Sequence, residues 1–504
     1  MQAYDLLIVG GGINGAAIAR DAAGRGLSVC LVEAADPAGA TSGASSKLIH
    51  GGLRYLEQYA FGLVRESLRE RSILLKIAPH LTRPCRFVLP HNPGQRPAWL
   101  MQAGLWLYDT LGGPDSLPDA TRIRLDDGSD WATPLRAGFE QGFLYFDVQV
   151  DDARLVILTL RDAEAHGADI LTHTRFLGAS RQDDIWQIRL EADGATRVTH
   201  ARAIVNAAGP WVSRVLDTLC DAREQPHPGV QLVRGSHIVV PRCYEGDHAY
   251  TLQNDDGRIV FLLPFQRDWT MIGTTDVRTD APEYAPQASI EEITYLCRAA
   301  SRYLRHPVTE KQIVWTFAGL RPLYDDGKHN PSTVTRDYRL VLDKHAAPLL
   351  SVFGGKLTTH RHLAEAVMEK LAPWFSHLGD SWTAATPLPG GASDGNDFSA
   401  ATAEFFQTFQ HLPEAVTAGL WARHGTLAFE LLAGVNHAAD LGEDFGGGLT
   451  ELETVHFIRN EWAHDVDDIL WRRSKAGLAM SAAQRARFNE WFIHHRRQRE
   501  RALA

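Results

Sequence analysis

The feature that most limits the fold of this chain is a glycine-rich turn close to its start. Four apolar residues run directly into the pattern G-x-G-x-x-G, which is formed by Gly10, Gly12 and Gly15. An alanine-rich helical pattern follows, and then a second apolar run that ends at Glu33. A strand, a glycine turn, a helix and a second strand closed by an acidic residue form the context that a dinucleotide-binding site requires.

Each position of this turn has a physical role in holding a dinucleotide. Gly10 permits the tight turn, Gly12 lets the backbone approach a pyrophosphate, and Gly15 lets the helix pack closely on the strand. The amide groups at the helix N-terminus and its positive dipole end then face the phosphates. The carboxylate of Glu33 is placed to accept hydrogen bonds from ribose hydroxyls.

Composition excludes several classes of protein. The 504 residues carry a formal net charge of −10, which argues against a nucleic-acid-binding protein. The five cysteines are far apart and form no C-x-x-C pair, which indicates reduced thiols in the cytoplasm and neither a disulfide framework nor a metal site. No apolar run reaches about 18 residues, so no spanning helix is expected.

Two later segments repeat the arrangement of a strand followed by glycine and a helix. The first is residues 203–211, which contains Gly209 and Trp211, and the second is residues 349–359, which contains Gly354 and Gly355. The second is not a P-loop, because neither the required first glycine nor the Ser or Thr after the lysine is present. Both segments are expected to return to the first sheet and to bring backbone close to the same dinucleotide.

A polar loop rich in small residues, 40–55, follows the second predicted strand. It reads ATSGASSKLIHGGLRY and has little helical or strand pattern. A Gly- and Ser-rich loop just after a nucleotide fingerprint is expected to wrap the cofactor, although the same composition suits a flexible surface loop.

The chain divides into a discontinuous nucleotide domain, an inserted layer and a helical end. Strand patterns dominate 230–280 and 310–345, with a helical stretch between them, which predicts an antiparallel sheet inserted into the nucleotide domain. Proline and glycine between 387 and 397 mark a linker, and a helical pattern follows. The predicted fold is therefore α/β, with a Rossmann-like nucleotide domain, an inserted antiparallel-sheet substrate domain and a C-terminal all-α domain. The predicted boundaries are 1–82 with 147–228 and 346–386 for the nucleotide domain, 83–146 with 229–345 for the substrate domain, 387–397 for the linker and 398–504 for the helical domain.

Residues 98–108 form an apolar helical pattern with two tryptophans and a tyrosine. About eleven residues are too few to span a bilayer. The aromatic residues and nearby arginines suit a helix in a membrane interface, whereas the apolar character on all sides equally suits a buried core helix. Sequence alone leaves both interpretations open.

A single fingerprint and two later strand–glycine–helix segments, 203–211 and 349–359, indicate one deeply enclosed dinucleotide, for which FAD is the best candidate. A flavin enzyme that also bound NAD would carry a second fingerprint, and none is present. Five polar residues are candidates for a substrate site: Arg54, His237, Arg321, Arg336 and Lys356. Converging arginines indicate an anionic substrate, and a histidine is a plausible base for a hydroxyl proton. Taken singly, each is more often a surface arginine or a core histidine.

These residues resemble those of a known family, the FAD-dependent, aerobic, respiratory glycerol-3-phosphate dehydrogenases of bacteria. The loop at 41–55 and the turn Gly354–Thr358 are specific to the resemblance, whereas the fingerprint is shared by many flavoproteins. The departures are small, such as Asn-Ala-Ala at 206–208 where Asn-Ala-Thr is also usual. The segments that carry the resemblance are 10–15, 41–55, 151–155, 206–211, 235–241, 272–276, 314–323, 335–338, 351–358, 459–463 and 467–470.

The resemblance implies oxidation of sn-glycerol 3-phosphate to dihydroxyacetone phosphate, with hydride transfer from C2 to flavin N5 and electron transfer to membrane quinone. It implies that Arg54, Arg321 and Arg336 bind the phosphate, with Tyr55 beside them. It also implies a peripheral protein, often dimeric, on the cytoplasmic face of the membrane, which favours the interfacial interpretation of residues 98–108.

The resemblance also assigns catalytic and cofactor-binding roles. His237 is expected to take the proton of the C2 hydroxyl. Lys356 and the helix that it begins are expected to stabilise negative charge on the reduced flavin, and Arg321 is expected to act with them. The residues expected to contact FAD are Gly10, Gly12, Ile13, Asn14, Gly15, Glu33, Thr41, Ser42, Ser46, Lys47, Leu48, Gly209, Trp211, Gly354, Gly355, Lys356, Leu357 and Thr358. No metal ligand is predicted.

Three other functions remain open at this point. A glycerol-3-phosphate oxidase would keep the substrate and pass electrons to O2. An amino-acid or amine oxidase of the same flavoprotein superfamily would bind a carboxylate with one arginine. A non-catalytic FAD-binding protein would leave the arginine and lysine set unexplained.

Overall fold

The computed structural model describes residues 3–92, 94–113, 117–126, 128–219, 229–325, 337–391 and 397–503. Arg336, one of the predicted phosphate ligands, lies outside the described residues. The strands are β1 (Tyr4–Val9), β2 (Val29–Val32), β3 (Leu48–Ile49), β4 (Thr82–His91), β5 (Thr121–Arg124), β6 (Gln141–Val150), β7 (Asp169–Leu171), β8 (Thr174–Gln182), β9 (Ile185–Ala192), β10 (Ala195–Asn206), β11 (Val230–Pro241), β12 (Ala249–Gln253), β13 (Ile259–Phe265), β14 (Trp269–Gly273), β15 (Val277–Thr279), β16 (Trp315–Tyr324), β17 (Arg339–Asp343), β18 (Leu349–Phe353), β19 (Asp444–Gly446) and β20 (Leu449–Thr450). The helices are α1 (Ile13–Gly24), α2 (Phe61–Ile77), α3 (Ala98–Gly112), α4 (Asp152–Ala165), α5 (Val212–Asp217), α6 (Ile290–Ser301), α7 (His360–Leu371), α8 (Phe398–Thr408), α9 (Glu414–His424), α10 (Leu427–Leu431), α11 (Glu451–Asn460) and α12 (Ala482–Leu503).

The nucleotide domain is built on a sheet in the order β17-β18-β10-β1-β2-β7. From β18 to β7 the strands are parallel, and Leu7 of β1 lies between Ile204 and Cys30 of its two neighbours. The apolar runs read from the sequence supply these strands, which are buried on both faces as a parallel sheet requires. Helix α1 packs against α4 and α7 on one face, where its alanines permit close approach.

The inserted layer is a second sheet in the order β15-β11-β14-β13-β12-β4-β6-β3, with β16 also paired to β11 and β5 to β6. All of its pairings are antiparallel except β12 with β4. On β11, His237 faces Phe317 of β16 on one side and Gly273 of β14 on the other. Helix α6 covers the sheet, and a capping box formed by Ser289 and Glu292 starts that helix.

The C-terminal domain contains helices α8 to α12 together with a short hairpin of β19 and β20. The domain is helical as predicted, and the hairpin is a small addition to it. Residues 446–448 are three consecutive glycines with positive φ angles of 93°, 62° and 73°, so they turn the chain back on itself and pair the flanking residues.

Three predicted boundaries also differ from the structure. Strand β6 extends to Val150 within the second sheet, and β17 joins the first sheet, although residues 339–343 were assigned to the inserted domain. Strand β17 joins the first sheet because its alternating Leu340 and Leu342 pack on the core of the nucleotide domain. Helix α7 begins at His360, four residues after Lys356, because Gly354 and Gly355 adopt positive φ angles that delay the helix.

Residues 98–108 lie in α3, which is largely exposed and is therefore not the buried core helix that the sequence also allowed. Its buried residues are Leu105 and Tyr108, whereas the side chain of Trp99 is 71% exposed and that of Trp106 is 66% exposed. The helix is therefore not buried in a core. Among the described residues, no helix is both long and apolar enough to cross a membrane.

Candidate active site

A cavity of about 1330 Å³ lies between the two sheets. Its volume exceeds the range of about 300–1,000 Å³ that is typical of small-molecule sites, as expected for a dinucleotide together with a substrate. Of the residues predicted to contact FAD, those that line the cavity are Gly10, Gly12, Ile13, Asn14, Glu33, Thr41, Ser42, Ser46, Leu48, Gly209, Trp211, Gly354, Gly355, Lys356, Leu357 and Thr358. Gly15 and Lys47 are not part of this lining.

The fingerprint turn forms one end of the cavity. Gly10 has a φ angle of 113°, and a Cβ atom there would lie 2.6 Å from the carbonyl oxygen of Ala207. A Cβ atom on Gly15 would lie 1.9 Å from the carbonyl oxygen of Gly10. Gly15 therefore serves the close packing of α1 on β1, while Gly10 makes the turn.

Glu33 fixes the fingerprint to the end of β2. Its Oε2 accepts from the Gly11 amide at 2.6 Å and its Oε1 accepts from the Ala35 amide at 2.9 Å. Burial raises the pKa of this carboxyl, while the backbone hydrogen bonds oppose that rise. Each carboxylate oxygen has more than one acceptor position, so Glu33 can still accept from ribose hydroxyls.

Residues 41–46 connect the fingerprint to the second sheet. The hydroxyl of Ser42 accepts from the Ile13 amide at 2.9 Å, and the hydroxyl of Thr41 donates to the Leu320 carbonyl at 2.6 Å. The start of the predicted cofactor loop is thus held to both α1 and β16, and the loop lines the cavity between the two domains.

Lys47 belongs to this loop, but its side chain points away from the cavity. Its φ angle is 56°, and its ammonium group donates to the Gly43 carbonyl and to both oxygens of Asp152, at 2.7 and 2.9 Å. Lys47 is buried with Asp152, and this ion pair accounts for its absence from the cavity lining. Its contribution is to order the loop.

The buried polar atoms of the cavity fit a dinucleotide. The side chain of Asn14 donates to the Gly354 carbonyl at 3.2 Å, whereas its Oδ1 is buried and has no hydrogen-bond partner among the described residues. Buried polar atoms are normally paired, so an acceptor left open at the start of α1 is consistent with a ligand that supplies the donor. A Cβ atom on Gly355 would lie 2.7 Å from the Asn14 side chain, so the two glycine turns meet there.

The other end of the cavity collects the predicted substrate residues. Arg54 and Tyr55 lie on a short 3-10 helix, Leu53–Gln58, and both line the cavity. The ammonium group of Lys356 lies 4.0 Å from the centroid of the Tyr55 ring, which is a cation–π contact. Arg321 on β16 also lines the cavity. The structure therefore brings four of the five polar candidates to one cavity, and the fifth, Arg336, is outside the described residues.

Arg321 is held in place by the turn that follows β14. Its guanidinium donates to the Thr274 hydroxyl at 2.9 Å and to the Thr275 carbonyl at 3.2 Å, and it forms an ion pair with Asp276. It is partly exposed to the cavity. The planar donors of a guanidinium suit a phosphate or carboxylate group.

His237 is buried on β11 and lines the same end of the cavity. Its ring stacks on Phe317 with centroids 4.8 Å apart, and its Nε2 lies 2.9 Å from the Ser46 hydroxyl. Its Nδ1 is buried and has no hydrogen-bond partner in the described part of the chain. Burial holds the pKa of His237 well below its ordinary value, and the charges of Arg321 and Lys47 lower it further. The imidazole is therefore neutral at pH 7.

Residues beyond the predicted set also line this end. His50 lies between the cofactor loop and the Thr358 hydroxyl, to which its backbone amide donates at 3.3 Å. Thr274 and Asp276 line the cavity beside Arg321. All three fall within segments that carried the resemblance, so a closer reading of those segments would have included them.

The comparisons with known proteins place the chain in a family. The sequence pattern of the "FAD dependent oxidoreductase" family matches residues 5–361, and that of the "C-terminal domain of alpha-glycerophosphate oxidase" matches residues 381–489. A glycerol-3-phosphate dehydrogenase of Pseudomonas aeruginosa is 48% identical over 100% of this chain and 98% of its own length. The chain belongs to the FAD-dependent glycerol-3-phosphate dehydrogenase family.

A second relative of this flavoenzyme carries a different name. The D-erythritol 1-phosphate dehydrogenase of Brucella abortus is 45% identical over 97% of this chain and 98% of its own length. Among solved structures, the glycerol-3-phosphate dehydrogenase from Bacillus halodurans complexed with FAD is 25% identical, with a TM-score of 0.74 that covers 98% of this chain and 91% of that one. The predicted fold class and the FAD cofactor are thereby confirmed.

Proposed function

We propose that this flavoenzyme oxidises sn-glycerol 3-phosphate to dihydroxyacetone phosphate. The observation that carries the proposal is the full-length similarity to a glycerol-3-phosphate dehydrogenase, together with the cationic side chains at one end of the cavity. Arg54 and Arg321, with Arg336 outside the described residues, are the proposed ligands of the phosphate, and Tyr55 lies beside them. FAD supplies the acceptor for the C2 hydride.

His237 is the proposed acceptor for the proton of the C2 hydroxyl. Its ring is neutral, and in the tautomer whose Nε2–H donates to Ser46, Nδ1 is free to accept a proton. Protonation would place a cation near Arg321 and Lys47, which both lower its pKa. The negative charge of a bound phosphate would favour the protonated imidazole and offset part of that cost. Lys356 is the proposed partner of negative charge on the reduced cofactor.

The test is anaerobic reduction of the bound flavin, followed as loss of its visible absorbance. We expect glycerol 3-phosphate to bleach the flavin and glycerol, which lacks the phosphate, not to do so. The Arg321→Ala variant should bleach about 10- to 150-fold more slowly, because a hydrogen-bonded charged contact contributes about 1.5–3 kcal/mol. Arg181→Ala is the matched control, since Arg181 also pairs with an aspartate, Asp343 at 2.7 Å, but does not line the cavity. An unmodified protein that glycerol 3-phosphate does not bleach would refute the proposal.

A four-carbon substrate is the second candidate. The D-erythritol 1-phosphate dehydrogenase of Brucella abortus is nearly as similar to this chain as the glycerol-3-phosphate dehydrogenase of Pseudomonas aeruginosa. The same bleaching assay with D-erythritol 1-phosphate distinguishes the two by the ratio of their kcat/KM values. Faster flavin reduction by D-erythritol 1-phosphate would make that compound, and not glycerol 3-phosphate, the preferred substrate.

Membrane quinone is the proposed electron acceptor, and a lipid surface is the proposed docking partner. Five exposed apolar side chains, of which four are aromatic, form a patch beside the cavity; they are Tyr59, Phe61, Trp99, Leu100 and Trp106. Three of the five also line the cavity, so the patch borders its mouth. The exposed basic residues Arg65 and Arg69 follow on α2 and suit an anionic lipid surface.

Co-sedimentation with anionic lipid vesicles tests this surface. The double variant Trp99→Gln with Trp106→Gln should bind at least about 100-fold more weakly, because burial of each tryptophan is worth about 1.5–3 kcal/mol. Ile290→Gln is the control, since Ile290 is 74% exposed on the unrelated helix α6. Equal loss of binding in the control would contradict the assignment. Quinone reduction measured against peroxide release separates the dehydrogenase from an oxidase, and sedimentation velocity tests the predicted homodimer.

A further inference from the structure

The C-terminal domain contacts the nucleotide domain through buried ion pairs that the reaction does not explain. Residues 468–475 contribute three cations to this contact: Arg472, Arg473 and Lys475. Asp36 and Asp151 of the nucleotide domain are their partners. Ion pairs this deeply buried are costly to form and strongly destabilising to break, so their position is informative.

The first contact supports the loop that follows β2. Asp36 lines the cavity three residues after Glu33, and it is buried. Arg473 donates to both oxygens of Asp36, at 2.8 and 2.6 Å, and Arg472 donates to one of them. Neither arginine lines the cavity, so the C-terminal domain contacts the Asp36 loop on the side that faces away from the cavity.

The second contact supports the loop that contains Ser45. Lys475 is fully buried and forms an ion pair with Asp151. The next residue, Asp152, accepts from the amide and hydroxyl of Ser45 at 3.1 and 2.8 Å, and from the ammonium group of Lys47. The buried residues Lys475, Asp152 and Lys47, together with the partly exposed Asp151, thus join residues 468–475 to a second wall of the cavity.

A third contact joins residues 468–475, through Glu461 of the C-terminal domain, to Arg154 of the nucleotide domain. Arg473 donates to the Glu461 carbonyl at 2.6 Å, and the Glu461 carboxylate is paired with Arg154 of α4. Arg154 also donates to the Arg423 carbonyl at 3.0 and 3.1 Å. Residues 468–475 are therefore bound to Glu461 of their own domain, while they also contact the two loops at the cavity.

We propose that residues 468–475 are a cofactor-retention element, which positions the loops 33–40 and 41–48 around FAD. Order in these loops favours FAD binding, and by linkage bound FAD favours docking of the C-terminal segment. Coupling of this kind changes an affinity by about 5- to 150-fold. The inference concerns retention of FAD and does not depend on the identity of the substrate.

The first test measures FAD dissociation by the gain of flavin fluorescence on release. We expect Arg473→Met to raise the FAD dissociation constant about tenfold. Arg472 remains on Asp36 in this variant, which favours a folded protein. Asp36→Asn is the second variant, and it weakens the Arg472 contact as well. The effects of the two variants should be less than additive, because both remove the ion pair between Arg473 and Asp36.

Glu453→Gln is the matched control. Glu453 is as deeply buried as Asp36, but it pairs with Arg423 and His424 inside the C-terminal domain. We expect it to lower the unfolding temperature without changing FAD affinity. An equal loss of FAD in Glu453→Gln would mean that general destabilisation is the cause, and unchanged affinity in both Arg473→Met and Asp36→Asn would also overturn the proposal.

The second test uses the reciprocity of linkage on the unmodified protein. Removal of FAD should increase amide hydrogen exchange in residues 468–475, and addition of FAD should restore protection. Helix α8, which lies elsewhere in the same domain, should be unaffected. Exchange in residues 468–475 that is the same with and without FAD would refute the coupling.

Discussion

Gly15→Ala offers a sharp test of how the dinucleotide cradle is built. The added Cβ atom would lie 1.9 Å from the Gly10 carbonyl oxygen, with the Ile8 side chain 3.5 Å away. The obstructing atom is backbone of the glycine turn, which cannot rotate out of the way as a flexible side chain does. Helix α1 and the turn must separate by about 1.1 Å merely to reach 3.0 Å, the shortest distance that such a contact tolerates, and overpacking of this kind costs about 1–3 kcal/mol.

The same displacement acts on FAD binding. It moves the N-terminal amides of α1 by about 1 Å from the position that suits a pyrophosphate, and a hydrogen bond to a charged group contributes about 1.5–3 kcal/mol. Loss of one such bond corresponds to a decrease in FAD affinity of about 10- to 150-fold, since about 1.4 kcal/mol is a factor of ten. The apparent unfolding temperature should fall as well.

Gly62→Ala provides a control that should raise stability, whereas Gly15→Ala should lower it. Gly62 lies in the first turn of α2, where a Cβ atom would meet no atom within 4 Å. Alanine is favoured over glycine in a helix by about 0.5–1 kcal/mol, so this variant should be slightly more stable and should bind FAD normally. Titration of apoprotein with FAD and thermal unfolding measure both effects. A Gly15→Ala variant with normal FAD affinity would refute the argument from close packing.

Three further outcomes follow from buried groups elsewhere. Burial lowers the pKa of His80 to about 3 and of His360 to about 4, so the unfolded chain binds more protons than the folded protein between pH 6.5 and 4. The free energy of unfolding should therefore fall with decreasing pH over that range, by about 1.4 kcal/mol per unit for each histidine, and denaturant titrations that give equal values at pH 7 and 5 would contradict this. Lys47→Met leaves the Asp152 carboxylate buried without its cation and should cost about 3–5 kcal/mol, visible as a large drop in melting temperature. Ser289→Ala removes the cap of α6 and should cost about 1 kcal/mol while flavin reduction continues at its normal rate, so a slower reduction would count against a purely structural role.

The nucleotide domain was predictable because its determinants are local. The apolar runs of β1 and β2, the spacing of Gly10 and Gly15, and the acidic residue at the end of β2 all lie within about one βαβ unit. The structure preserves that order, and the Gly11 amide donates to Glu33 across the turn. Patterns with a short range in sequence survive folding because few distant residues compete with them.

The contacts that link distant residues were not predictable in this way. Asp36 and Arg473 are 437 positions apart, and neither belongs to a motif. Lys47 sits in a loop that lines the cavity, but its positive φ angle turns the ammonium group onto Asp152, 105 positions away. A polar residue in a cofactor loop has a choice of partners, and only the assembled fold determines which partner is within reach.

The substrate end of the cavity depends as much on missing side chains as on charged ones. Gly235 and Gly319 are paired across β11 and β16. A Cβ atom on Gly235 would lie 2.3 Å from the guanidinium of Arg321, and one on Gly319 would lie 3.1 Å from Ala44 of the cofactor loop. The two bare positions therefore let Arg321 lie flat on the sheet and let the loop approach it. The cation that is proposed to bind phosphate and the loop that is proposed to wrap FAD meet at this site because the paired strands present no side chains between them.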